Sequence, residues 1–263
     1  MTEIPSPGLG TSGNKDAARC AETVQTALEL GYRHVDTAQM YENEEPVGEG
    51  IARADVPREE VFLATKVLPD NLAHDDVLET TKRSLDRLGT DYVDLLYVHW
   101  PMRAYDAENT LPAFDRLAED GIAKNIAVSN FTPELLDEAR DILDTPIVAN
   151  QVEMHPLLQQ DELQTYAREH DTTLVAYAPI MQGTADEVPE LRDIAEKHDV
   201  TPTQISLAWL AQVENVAPIP KATGEKHLSE NLSVPELDAQ DVEKIETIDR
   251  EERLVDPDGA AWN

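Results

Sequence analysis

The chain has 263 residues, with 53 Asp and Glu against 21 Lys and Arg, for a formal charge of -32. Duplex nucleic acid is excluded as a natural partner, because phosphate binding depends on neutralising lysines and arginines. The length predicts one domain over residues 1–263, and the apolar share of 41% with only 5% aromatics predicts a core of Leu, Ile, Val and Ala.

The cations comprise 8 Lys and 13 Arg, and acidic runs such as Glu42 to Glu45 and Asp249 to Glu252 recur. This resembles a halophilic protein from a salt-rich cytoplasm: self-repulsion is screened in molar salt, where the Debye length is about 3 Å. Cys20 is the single cysteine, which leaves no intrachain disulfide and fits a reducing compartment. The first thirty residues show no basic stretch followed by an apolar one, and nowhere do 18 apolar residues run together. A cytoplasmic protein without a membrane partner is expected, as a monomer or weak oligomer.

β-type runs alternate with amphipathic helical segments along the chain. Strand candidates are Tyr32 to Asp36, Val61 to Val67, Tyr92 to Trp100, Asn125 to Ser129, Ile147 to Val152, Thr173 to Ala178 and Val216 to Pro220. Helical patterns lie at Asp16 to Leu30, Glu45 to Ala54, Asp75 to Leu88, Thr110 to Asp120, Pro133 to Leu143, Asp161 to His170 and Thr201 to Val213. Thr132 and Thr201 each precede a proline, which places an N-cap before the first helical turn. Closure requires an eighth strand within Ser6 to Thr11, where prolines and glycines hide any periodicity. The predicted class is α/β, a single-domain (β/α)8 barrel with its site at the C-terminal ends of the strands.

Gly8, Gly10 and Gly13 spell GxGxxG, with Asp36 some distance on, as in a dinucleotide-binding fingerprint. The segment before them carries two prolines, which remove ladder donors and exclude a central strand. The Rossmann reading is therefore set aside. Glu153 and His155, two apart, invite a metal reading, but no second ligand pair completes a set, and no metal is expected.

The residues just past each strand form a polar list: Asp36 with Tyr41, Lys66, His99, Ser129 with Asn130, Gln151, Tyr177 and Lys221. A barrel would bring them together. The segments YRHVDTAQMYENEEPVGEGI, VFLATKV, YVDLLYVHWP, IAVSNF, NQVEMHP, YAPI and IPKATGEKHLSENL, in this order, resemble the aldo-keto reductase superfamily. The resemblance implies reduction of a small-molecule carbonyl by a nicotinamide cofactor, with Asp36, Tyr41, Lys66 and His99 as the catalytic tetrad. Hydride arriving at a carbonyl carbon leaves negative charge on oxygen, so a proton donor must stand beside it, and Tyr41 is the candidate. Lowering a phenol pKa by roughly two units takes about 2.7 kcal/mol of preferential phenolate stabilisation. Lys66 is expected to supply it, with Asp36 keeping the ammonium charged and His99 as second donor to the carbonyl oxygen.

The same resemblance places Thr11 in the first-strand loop by the cofactor, Ser129, Asn130 and Gln151 around the nicotinamide carboxamide, and Tyr177 against its ring. Lys221, Thr223, His227, Glu230 and Asn231 align with the stretch that holds the adenosine end and any 2'-phosphate. Two positions depart from the family: His227 replaces a common arginine, and Ala222 replaces a hydroxyl residue. NADPH is expected, with NADH as the alternative, because histidine lacks arginine's fork of donors. Trp100, the Met102 to Asp106 loop, the Met181 to Val188 segment and the tail carrying Trp262 are expected to line the substrate pocket. Ser12 stands where many relatives have tryptophan, which implies a more open pocket for small aldehydes, α-oxoaldehydes or keto sugars. Two other functions compete: a Schiff-base aldolase using Lys66, and a non-catalytic nicotinamide sensor.

Overall fold

In the computed structural model, which describes residues 2–262, eight parallel strands succeed one another around one sheet in chain order. They are β1 (Leu9–Gly10), β2 (His34–Asp36), β3 (Phe62–Val67), β4 (Leu95–Val98), β5 (Ile126–Ser129), β6 (Ile147–Glu153), β7 (Thr173–Tyr177) and β8 (Val216–Pro218). The Gly8 amide donates to the Pro218 carbonyl at 2.9 Å and the Gly10 amide to the Pro220 carbonyl at 3.1 Å, which ties the first segment to the last and closes the barrel. Between and after the strands lie α1 (Ala17–Leu30), α2 (Glu44–Arg53), α3 (His74–Leu88), α4 (Ala107–Glu119), α5 (Pro133–Ile142), α6 (Asp161–Glu169), α7 (Pro189–His198), α8 (Pro202–Gln212), α9 (Glu225–Leu232) and α10 (Ala239–Glu246). No helix among the described residues is long and apolar enough to cross a membrane.

Strand alternation builds two cores. Outward residues such as Leu63, Val67, Leu96, Val98, Ile126 and Val128 pack on the helices, each burial contributing about 1.5–3 kcal/mol. Inward residues Ala64, Leu95, Tyr97, Ala127, Ala149, Val175 and Ala217 fill the barrel, and Ile4 from the N-terminal segment joins them. Alanine at four of these positions leaves room around the large Tyr97 ring. The glycine motif has a structural use: a Cβ on Gly10 would lie 2.7 Å from the Ile219 carbonyl oxygen, so glycine lets β1 approach the end of β8.

Two N-caps stand as read from the sequence: Thr132 accepts from the Leu135 amide, and Thr201 forms a capping box with Gln204. The expected strand Tyr92 to Trp100 is longer than β4, because Val93 makes only an isolated bridge to Ala123 and the ladder begins at Leu95. Three helices, α7, α9 and α10, are additional to the seven expected. Helix α7 buries only Leu191, Ile194 and Ala195, α9 only Leu228 and Asn231, and α10 only Asp241 and Ile245, stripes too sparse to stand out in an acidic background.

Candidate active site

Six of the eight strands, β2 to β7, each place one inward residue in the packed interior and the next inward residue, two positions on, at the mouth. The pairs are His34 and Asp36, Ala64 and Lys66, Tyr97 and His99, Ala127 and Ser129, Ala149 and Gln151, Val175 and Tyr177. The period of two therefore turns a series of separate strand ends into one polar floor. Tyr41 reaches the same floor from a short turn, Gln39–Tyr41, after β2. The Gln39 side chain secures that turn: its amide oxygen accepts from the Leu68 amide and from Asn71, both at 3.0 Å.

The tetrad is assembled. The Lys66 ammonium is fully buried and donates to Asp36 Oδ1, to the Thr37 carbonyl at 2.9 Å and to the Tyr41 hydroxyl at 3.3 Å. Gln151 Nε2 donates to the other Asp36 oxygen at 2.8 Å, so both carboxylate oxygens are held. The Tyr41 and His99 rings stand 5.8 Å apart and nearly perpendicular. Lys66 is shifted above its ordinary range: burial alone opposes the charge, but Asp36 and Tyr41 outweigh it. A permanently protonated lysine is a poor nucleophile, which speaks against the Schiff-base reading.

The expected lowering of Tyr41 is corrected by its surroundings. Burial raises the phenol, Lys66 lowers it, Asp36 raises it again, and the net direction is upward from 10. Tyr41 therefore rests protonated, as a donor must. His99 is driven well below 6.5 by burial and then by the Lys66 charge, so it stands as a neutral imidazole with a single proton to offer.

The expected nicotinamide residues form one hydrogen-bonded row. Ser129 Oγ donates to the Gln151 carbonyl at 2.9 Å, and Asn130 Nδ2 donates to Ser129 Oγ at 2.9 Å and to the His99 carbonyl at 3.1 Å. The Tyr177 hydroxyl donates to Asn130 Oδ1 at 3.0 Å. Asn130 adopts φ 64°, the left-handed region, which turns its amide back over the mouth. Tyr177 stays half-buried, leaving part of its ring open. Thr11 is buried, and its hydroxyl donates to the Asp36 carbonyl at 2.9 Å, so it braces the strand that carries the tetrad aspartate.

The adenosine-end candidates lie apart from the tetrad, on the loop after β8 and on α9. Lys221 and His227 are exposed and Asn231 is buried. His227 Nδ1 lies 3.0 Å from Glu230 Oε2, so these two candidates pair with each other.

On the substrate side, the Trp100 and Trp262 rings come within 5.6 Å. Trp262 donates to Asp256 Oδ1 at 2.9 Å, and the Arg253 guanidinium lies 4.2 Å from its ring centre. The Met181 to Val188 segment forms two short helical turns.

Glu153 is a residue whose part the sequence hides. Fully buried, it accepts from the Leu254 amide at 2.7 Å and the Val255 amide at 2.9 Å, with His155 Nε2 also 2.9 Å away. The pair that invites a metal reading instead anchors the tail that carries Trp262. The signal is the unusual acid beside a strand end, but its partners lie about a hundred residues away.

A closed eight-stranded barrel whose mouth sets a proton-bearing phenol against a buried ammonium and a neutral imidazole defines an oxidoreductase of the barrel class. The chain belongs to the aldo/keto reductase family, whose sequence profile matches residues 7–250. It is 40% identical to the methylglyoxal reductase DkgB of Salmonella typhi, over 98% of each chain. It is 37% identical to a glyoxal reductase of Bacillus subtilis, over 96% of this chain and 91% of the relative. Among solved structures, a putative 2,5-diketo-D-gluconic acid reductase B superposes with a TM-score of 0.94 at 36% identity, covering 98% of this chain and 92% of the other. A Bombyx mori aldo-keto reductase in complex with NADP superposes at 0.89 with 30% identity, covering 97% and 92%.

Proposed function

We propose that the protein reduces small aldehydes and ketones, such as α-oxoaldehydes and keto sugars, to alcohols with NADPH as hydride donor, and with NADH as the alternative. The observation that carries this reading is the Tyr41 hydroxyl 3.3 Å from the buried Lys66 ammonium, beside a neutral His99. The activities for which the relatives are named, on methylglyoxal, glyoxal and 2,5-diketo-D-gluconic acid, support the substrate class.

When bound, a nicotinamide dinucleotide would supply the hydride. The chain's own groups do the rest: His99 donates a hydrogen bond to the carbonyl oxygen, Tyr41 delivers the proton to it, and Lys66 stabilises the phenolate left behind. Asp36, held by Gln151, keeps Lys66 charged and in place. Ser129, Asn130 and Gln151 are suited to the carboxamide and Tyr177 to the ring face. The fit to a polyanionic cofactor rests on Lys221, a cation with no ion pair among the described residues. Trp100 and Trp262 would flank the substrate.

The whole chain, residues 1–263, is read as one catalytic domain in a salt-rich cytoplasm. The charge of -32 supports the salt, and Cys20, a free buried thiol pushed up to about 11 by burial, suits a reducing compartment. Met40 is the exposed large hydrophobic residue among those described, which supports a monomer.

The test is oxidation of NADPH and NADH in molar KCl with methylglyoxal, glyoxal and a keto sugar, with Tyr41→Phe in parallel. The wild type should turn over at least one carbonyl, and the variant should lose about 10²- to 10⁴-fold in rate with dinucleotide binding intact. Retained turnover in Tyr41→Phe overturns the mechanism. Binding without turnover by the wild type would favour the sensor.

A further inference from the structure

His227 stands where the family commonly has arginine, and its ring is committed along α9 to Glu230 at 3.0 Å. Lys226 reaches the same carboxylate at 3.5 Å. Ala222 is buried and offers no hydroxyl. The segment after β8 is thus short of free donors for a 2'-phosphate.

Donors arrive from the opposite side of the barrel seam. Arg19 on α1 donates through Nη2 to Thr223 Oγ1 at 3.0 Å, bridging 204 positions of sequence. The two residues line a cavity of about 480 Å³ between α1 and the start of α9, together with Asp16, Glu22, Gly224 and Glu225. Although three carboxylates share that cavity, Arg19 has no ion pair among the described residues. The Asp16 oxygen nearest in sequence is occupied by capping, accepting from the Arg19 backbone amide at 2.9 Å. Lys221, also without an ion pair among the described residues, extends its ammonium towards the loop after β1, where a Cβ on Gly13 would lie 3.6 Å from it.

Arg19 reaches Thr223, Lys221 stands two residues before it, and neither is held by a carboxylate among the described residues, which leaves both open to an anion from outside. A guanidinium carries five donors in a rigid fork, of which Thr223 uses one. A phosphate monoester uses such a fork far better than a hydroxyl does.

We infer that Arg19 is the residue that distinguishes NADPH from NADH, its guanidinium joining Lys221 and Thr223 on the 2'-phosphate in place of the arginine absent at position 227. A contact at hydrogen-bond distance also survives molar salt, where charges beyond about 3 Å are screened.

The inference rests on the nicotinamide-reductase reading, and binding measurements separate the two. Wild type, Arg19→Leu and Arg19→Lys are titrated in molar KCl with 2',5'-ADP and with 5'-AMP, which differ only in the 2'-phosphate, and then with NADPH and NADH. Arg19 is exposed on a helix, so the variants should fold. The leucine variant should bind 2',5'-ADP and NADPH about tenfold or more weakly, as one charge-assisted contact is lost, with 5'-AMP and NADH unchanged. Lysine should restore part of the loss. Equal weakening of both probes, or no weakening of either, overturns the role of Arg19 and leaves the reductase standing. Failure of the wild type to bind either dinucleotide overturns the reductase reading itself.

Discussion

Lys66 and Arg19 are both cations at the barrel mouth, yet their surroundings differ in kind. Lys66 is fully buried and donates to a carboxylate, a carbonyl and a phenol, whereas Arg19 is exposed and holds one hydroxyl. In the low-dielectric floor, burial depresses His99 and keeps Tyr41 protonated, while the charges of Asp36 and Tyr41 couple strongly enough to raise Lys66 against it. At the rim, water and salt screen the same interactions, so only direct contact counts. The floor is fitted for chemistry that must not change with conditions, and the rim for selecting a ligand reversibly.

The largest effects should come from breaking the floor. Tyr41→Phe removes the proton itself, with the loss of rate stated for the turnover assay. Lys66→Met leaves Asp36 buried without its counter-ion, and about 3–5 kcal/mol of stability should be lost, visible in denaturant melts. In the same variant the phenol loses the one group that lowers it most, so its pKa rises further. Alcohol oxidation, which needs Tyr41 as a proton acceptor, should then begin at higher pH than in the wild type; an unchanged pH profile would contradict the role of Lys66.

Between floor and rim lies the tail anchor. Glu153→Gln replaces an acceptor of two backbone amides by a group with one acceptor oxygen, at a cost of about 1–3 kcal/mol. Trypsin should cut the tail at Arg253 faster, and KM for the carbonyl should rise more than kcat falls as Trp262 loosens. Equal proteolysis rates would show that the anchor does not hold the tail. The smallest effect belongs to the rim: His227→Arg should improve NADPH relative to NADH by about 1.5–3 kcal/mol at most, and by less in high salt. No change there would mean that position 227 does not meet the phosphate.

The strands and most helices are legible because alternation and helical periodicity are local. Asp36, Lys66 and His99 are legible from their positions at or near the ends of apolar runs, because every strand ends at the same face. Residues whose roles depend on distant partners are not legible in this way. Glu153 reads as half of a metal pair until the tail amides of Leu254 and Val255 come to it. Arg19 is an ordinary surface arginine on the first helix until the loop after β8 is brought beside it. The direction of the Tyr41 shift escapes the sequence for the same reason, since a sequence shows the neighbouring lysine but not the depth of burial that outweighs it.

By itself the sequence determined the barrel class and the charge of -32, since periodicity and composition are properties of the chain, and its resemblance to a family supplied the candidates for the tetrad. The tertiary structure alone decided which groups are dry, which charges find partners and which remain unpaired. Those depend on desolvation and on contacts between residues as far apart as Arg19 and Thr223, and neither is written in local order.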